Sequence, residues 1–414
     1  MSRRIRRAWP IAAMVLLCAL LPGTAAAQGS TAPKLTAPSA ILVEQATGDV
    51  VVAKKADERR QIASTTKMMT ALLALERLAL DDVLVQAPYD AAPAESLGGF
   101  RAGEKVTVRD ELRALLLASA NDAANTLAIR ISGSRERFVR DMNARAMALG
   151  LEDTSFANPI GLDDEDNYST AADLVKLALV LRTKPFFRQT TNLERVTIRS
   201  GAMPRTYENR NSLVRSVPAV NGVKTGFTNK AGYILVGSAT RNGVTVVSAV
   251  LGAPSEAARN ADSKALLEYG LDRYVRRTAL KARRKFGRAQ LRYRDSSVAL
   301  VAEREVVRTA RRGESFDIRV TGAPQELDGP LAQGAQVGTI VVRQRGKVVD
   351  RVPLITARAV TEATAVDRLK EFAVRPRTVV LAVVFILGSL SLVVLRRRSA
   401  RQVRMAEPEA APPG

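Results

Sequence analysis

Ser64 and Lys67, three residues apart in Ala63-Ser64-Thr65-Thr66-Lys67-Met68-Met69-Thr70, open an apolar run that predicts a helix over residues 64–80. On a helix that spacing puts a hydroxyl and an amine on one face, within reach of each other. A serine hydroxyl is a poor nucleophile until a neighbouring base takes its proton. Lysine serves as that base once burial or nearby cations bring its pKa toward neutrality. The chain contains no histidine, so a Ser-His-Asp triad is excluded and a serine enzyme here has to use lysine. Taken alone, Ser-x-x-Lys is also what a helix-capping serine followed by a solvated lysine would leave. Further partners decide between the two.

Two more elements follow in order, Ser119-Ala120-Asn121 and Lys224-Thr225-Gly226, 55 and then 105 residues further on. Each is weak by itself, whereas the ordered triple is the signature of penicillin-recognising serine enzymes. The intervening chain reads as scaffold. Residues 41–43 and 48–52 predict two strands joined by a turn ahead of Ser64. A helix over 108–118 ends at Ser119-Ala120-Asn121-Asp122, and helices over 123–131, 135–150 and 169–181 follow, with a turn at Asn158-Pro159-Ile160-Gly161. Lys224-Thr225-Gly226 enters a sheet continued by apolar runs at 233–239 and 244–251, which Arg241-Asn242-Gly243 joins as a hairpin. A helix over 255–274 closes this part, and short β-like runs punctuated by Gly322, Gly334 and Gly346 make a small all-β module over 296–360.

At the N-terminus Arg3, Arg4, Arg6 and Arg7 precede an apolar core and then Gly23-Thr24-Ala25-Ala26-Ala27, the pattern of a secretory signal peptide cleaved after Ala27. Residues 28–37 read as a linker. The one cysteine, Cys18, falls in the signal segment, so the mature chain is expected to hold no disulfide and no zinc on His or Cys; no cofactor or metal is expected. Residues 378–395 carry no charge over 18 positions, about 27 Å as a helix and enough to cross a membrane. Arg396-Arg397-Arg398 follow directly, which orients a cytoplasmic tail (396–414) and places the body outside. The net charge of +22 points to an anionic neighbour, and ten Lys or Arg lie between Arg273 and Arg294 without one acidic residue. Aromatics are only 4% and do not interleave with the basic run, so nucleic acid is not the expected partner.

Over residues 36–275 the chain resembles the low-molecular-mass penicillin-binding proteins, the serine-type D-alanyl-D-alanine carboxypeptidases. The likeness rests on the triple motif, on Gly103-Glu104, Leu117-Ala118-Ser119-Ala120-Asn121-Asp122-Ala123-Ala124 and Met142-Asn143, and on Thr154 through Leu162, Tyr168-Ser169-Thr170-Ala171 and Leu251-Gly252-Ala253-Pro254. Residues 334–353 resemble that family's C-terminal domain more weakly, and Asn167 stands where the family often has histidine. The resemblance implies an α/β (α+β) penicillin-recognising fold, an antiparallel sheet flanked by helices, with a catalytic domain over 38–276. The chain's own pattern adds the basic segment and small all-β domain (277–360), a linker (361–377) and a C-terminal transmembrane helix, a full span where some family members use an amphipathic surface helix. It also implies that Ser64 attacks the carbonyl between two D-alanines with Lys67 as base, and that Ser119 and Lys224 relay a proton to the leaving amine. Asn121 would orient the substrate amide and Lys67, and the N–H groups of Ser64 and Phe227 would form the oxyanion hole. Thr225 and Arg210 would hold the terminal carboxylate, with Gly226 beside them in the strand. The implied partners are a peptidoglycan pentapeptide, β-lactam antibiotics and, through the C-terminal helix, the cytoplasmic membrane. A β-lactamase, a muropeptide endopeptidase and a non-catalytic wall-binding scaffold share parts of this pattern. Class A β-lactamases add a Glu-x-x-x-Asn element, and here the position four before Asn158 holds Thr154.

Overall fold

A computed structural model describes residues 31–405, so the signal peptide expected over residues 1–27 lies outside the described residues. Alternating and β-branched runs form a five-stranded antiparallel sheet from β1 (Ser39–Glu44), β2 (Val50–Lys54), β3 (Val220–Thr228), β4 (Gly232–Arg241) and β5 (Val244–Ala253). The spatial order is β2-β1-β5-β4-β3, which leaves β3 at an edge. The β4–β5 turn has Asn242 and Gly243 at φ +52° and +75°, the two left-handed positions a two-residue hairpin demands and Asn-Gly supplies.

Both sheet faces are covered, which is why β1 is buried along its whole length. One face packs on the long helix Glu256–Arg273 around Leu42, Leu235, Val246 and Leu267. The other meets the helical layer: α1 (Lys67–Arg77), α2 (Val108–Arg113), α3 (Asn121–Ser132), α4 (Arg135–Ala148) and α5 (Ala171–Arg182). Thr107, Ser134 and Thr170 begin α2, α4 and α5 by accepting from the N–H three residues on. The expected helix over 64–80 is divided: Ala63–Thr66 is a 3₁₀ turn and α1 proper begins at Lys67. The expected helix over 108–118 ends in a π turn, Ala114–Ala118.

The basic stretch from Arg273 to Arg294 supplies strands Tyr274–Leu280 and Lys285–Leu291 of the following all-β region, whose core gathers Leu280, Val298, Ile340 and Leu354. Asp49 ties that region to the main sheet. Its carboxylate accepts from Arg345 at 2.7 Å, from the Tyr274 hydroxyl at 2.7 Å and from Arg311 at 3.3 Å. Within 361–377, read from sequence as linker, Thr364 and Asp367 form a capping box and start the helix Ala365–Val374. Among the described residues one helix, Pro376–Met405, is long and apolar enough to cross a membrane. Within its span Pro376–Ser399 an 18-residue window reaches a mean hydropathy of 2.8 and is nowhere buried.

Candidate active site

The free edge of β3 faces the 3₁₀ turn that carries Ser64, and the Ser119 turn closes the third side. Ser64 is half-buried, while Lys67, one helical turn away, is fully buried, its Nζ 3.0 Å from Ser64 Oγ. The same amine donates to the Ile160 carbonyl. With one N–H so committed, the neutral amine has its lone pair free to face the serine hydroxyl. Burial, with the guanidinium of Arg210 next in effect, lowers the Lys67 pKa to about 7, and Glu95 and Asp122 oppose that fall.

A second serine–lysine pair stands beside the first. The π turn ends with Ser119 in the left-handed region (φ +64°), which turns its side chain out of the helix toward β3. Lys224, on β3, is buried, its Nζ 3.0 Å from Ser119 Oγ, and it donates to the Thr225 carbonyl at 2.9 Å. Burial holds this amine well below its ordinary pKa, and the positive charges of Lys67, Arg210 and Arg259 act in the same direction. Two buried amines of lowered proton affinity, one beside each serine, are suited to passing protons rather than storing them.

Two glycines let these elements approach. Gly161 has φ +85°, and a Cβ there would lie 2.1 Å from the Ala63 carbonyl oxygen and 2.9 Å from Ser64 N. Asn158 Oδ1 accepts from the N–H groups of Ile160, Gly161 and Leu162, which shapes the turn and aims the Ile160 carbonyl at Lys67. A Cβ on Gly226 would lie 3.1 Å from Ile62 O and 3.3 Å from Ser64 N, so β3 runs directly against the nucleophile's backbone.

Arg210 sits between Asn209 and Asn211. Asn209 Nδ2 donates to the Thr191 and Leu193 carbonyls, and Asn211 Nδ2 donates to the Gly222 carbonyl. The segment is thus fixed to β3, while the Arg210 guanidinium is exposed near both lysines. Thr225 is buried on β3 between Lys224 and Gly226. Phe227, by contrast, is half exposed and stacks on Tyr233 at 4.2 Å between ring centroids. Asn121, the first residue of α3, bonds neither Lys67 nor open space: its Nδ2 donates to Glu95 at 2.6 Å. Every site residue expected from sequence therefore lies on elements that meet at this cleft. Glu95 and the packing role of Gly161 are what sequence reading missed. Gly161 had a signal in its Asn-Pro-x-Gly turn, whereas Glu95 lies in a loop with no motif.

The family model described as D-alanyl-D-alanine carboxypeptidase matches residues 26–255, and that of the penicillin-binding protein 5 C-terminal domain matches residues 274–362. The chain is 31% identical to D-alanyl-D-alanine carboxypeptidase DacF of Bacillus subtilis, over 81% of this chain and 88% of that protein. It is equally 31% identical to DacA of Escherichia coli, over 82% and 87%. Among solved structures, penicillin-binding protein 5 from Haemophilus influenzae superposes with a TM-score of 0.59 at 31% identity, covering 81% of this chain and all of that one. The Streptomyces K15 DD-transpeptidase gives a TM-score of 0.56 at 34% identity, covering 58% of this chain and 99% of that one.

Proposed function

Because this chain belongs to the D-alanyl-D-alanine carboxypeptidase family, we propose that Ser64 is its nucleophile and Lys67 the base that takes the serine proton. The observation that carries this reading is the pair of 3.0 Å serine–lysine contacts, both built on fully buried amines of lowered pKa. Ser64 Oγ bonds to the carbonyl carbon between the terminal D-alanines of a peptidoglycan pentapeptide, and the N–H groups of Ser64 and Phe227 take up the oxyanion charge. The C–N bond then breaks. The proton that reaches the departing amine travels through Lys224 and Ser119. Water completes the cycle by hydrolysing the Ser64 ester. Asn121 orients the substrate amide, and Arg210 with Thr225 holds the terminal carboxylate, a task for which a guanidinium fork is shaped. β-Lactams acylate the same serine.

The position four before Asn158, where the Glu-x-x-x-Asn element of class A β-lactamases has its deacylating glutamate, holds Thr154. Thr154 lies 2.7 Å from the Ser169 hydroxyl and donates to Asp173 at 2.9 Å. The penicilloyl enzyme is therefore long-lived, while the peptide acyl-enzyme, whose leaving group diffuses away, turns over. In this reading the catalytic domain spans 38–276 and works outside the cytoplasmic membrane. A single pass by residues 378–395 holds it there, with the tail from Arg396 inside.

The test is release of free D-alanine from a stem pentapeptide by the detergent-solubilised chain, paired with labelling by fluorescent penicillin. Wild type is expected to do both and Ser64→Ala neither. Rapid turnover of penicillin without D-alanine release would instead make the chain a β-lactamase.

A further inference from the structure

We propose that Glu95, from the loop that precedes the Ser119 turn, is a positioning residue for acyl transfer: its carboxylate fixes the side-chain amide of Asn121 and presents a counter-charge to Lys67. The inference rests on the reading of Ser64, Lys67 and Asn121 given above.

The Glu95 carboxylate is held from several sides. Oε1 accepts from Ala92 N–H at 3.0 Å, and Oε2 accepts from the Tyr89 hydroxyl and from Asn121 Nδ2 at 2.6 Å. The Tyr89 ring in turn lies beneath the guanidinium of Arg135, 5.4 Å from its centroid. The loop is tied to the site from behind. Asp122 accepts from Gly98 N–H at 2.7 Å and from Phe100 N–H at 3.1 Å, and the Ser96 carbonyl accepts from Asn121 N–H at 2.8 Å. Loop and Ser119-Ala120-Asn121 turn are thus tied together by three hydrogen bonds.

An acceptor-only group facing Nδ2 settles which way the Asn121 amide points. A carboxylate cannot tolerate the flipped amide, whose oxygen would face it, so one Nδ2 hydrogen stays on Glu95. The other hydrogen and Oδ1 are left uncommitted by Glu95. Bonds to an ionised acceptor are the stronger kind, and this one is short. The charge has a second effect. The groups that act on Lys67 are Arg210, Glu95 and Asp122, and of these Arg210 favours the neutral amine while the two carboxylates favour the charged one. Glu95 is held ionised against the cost of its burial by Tyr89, Asn121 and Ala92, with Lys67 adding to them. The carboxylate therefore stabilises the ammonium that forms when Lys67 takes the serine proton.

The experiment compares the second-order rate of acylation by a fluorescent penicillin across pH 5–9 for wild type, Glu95→Gln, Glu95→Ala and Ser64→Ala, all as full-length protein in detergent. Glu95→Gln keeps an acceptor for Asn121 and removes the charge, whereas Glu95→Ala removes both. Glu95→Ala is expected to lose about 10- to 100-fold, the scale of one hydrogen bond to a charged group. Glu95→Gln should recover most of that loss, and in both variants the acidic limb should move to lower pH. A thermal melt shows whether each variant is folded, and the limb position of the active fraction is independent of how much is folded. The proposal fails if Glu95→Gln and Glu95→Ala are equally slow with the limb unmoved, or if both match wild type. Failure of wild type itself to acylate would instead overturn the assignment of Ser64.

Discussion

Adding one methyl group at Gly161 tests the geometry of the nucleophile most directly. In Gly161→Ala the new Cβ would sit 2.1 Å from the Ala63 carbonyl oxygen, 2.5 Å from its carbon and 2.9 Å from Ser64 N. A carbon needs about 3.3 Å from a carbonyl oxygen, so the two backbones must part by about 1 Å. The alanine must also hold φ near +85°, a strain of about 1–2 kcal/mol. Neither chain segment yields freely. Asn158 pins the 160–162 turn through three N–H groups, and Lys67 is bonded to the Ile160 carbonyl, one residue before the substitution. Relief therefore separates the Lys67 amine from the Ser64 hydroxyl. A misplacement of about 1 Å in a reacting pair lowers the rate on the order of 100-fold. The measurement is acylation by fluorescent penicillin under second-order conditions, beside a thermal melt to show that the sheet and helices persist. Gly226→Ala, whose nearest contact is 3.1 Å, should lose less. A Gly161→Ala protein that acylates at the wild-type rate would refute the claim that this clearance sets the position of Ser64.

The acylation rate should fall below about pH 7, about tenfold for each further unit, because only neutral Lys67 can take the serine proton and burial holds its pKa near 7; a rate flat from pH 5 to 8 would remove lysine as the base. Arg210→Ala should lower kcat/KM for a pentapeptide by about 10- to 100-fold, mostly through KM. Arg210→Lys should recover only part, and a peptide ending in D-alanine amide should be indifferent to either change. Glu104 is buried and accepts from both Arg205 nitrogens, at 2.8 and 2.9 Å, so Glu104→Ala should destabilise the fold by about 3–5 kcal/mol in urea. Although burial pushes the Glu104 pKa up, Arg205 and the N–H groups of Arg101 and Ala202 outweigh it and hold it at about 2. Its contribution is thus full above its ordinary value and lost as the pH falls toward about 2, so melts of wild type, but not of the variant, should show this acid loss.

The primary structure determined the chemistry and its order along the chain. Without histidine the proposed serine chemistry falls to lysine as base, and Ser64-x-x-Lys67 is a local spacing that any helical turn converts into proximity. Alternation and the Asn242-Gly243 turn specified the β4–β5 hairpin, and the uncharged run before Arg396 specified an apolar helix, since both patterns depend only on near neighbours. Boundaries were less legible. The 3₁₀ turn under Ser64 packs against β3 and the π turn before Ser119 against α1 and α3, contacts that no local propensity encodes. Tertiary structure alone decided what depends on distant residues. Ser119 meets Lys224 across 105 positions, and nothing local to either encodes the 3.0 Å contact. Burial of the two amines, which lowers their pKa, is a property of the closed core and not of the motifs. Glu95 acquires its place beside Asn121 and Lys67 only because Asp122 folds the 95–100 loop against the Ser119 turn, and a carboxylate in a loop carries no periodicity by which to find it.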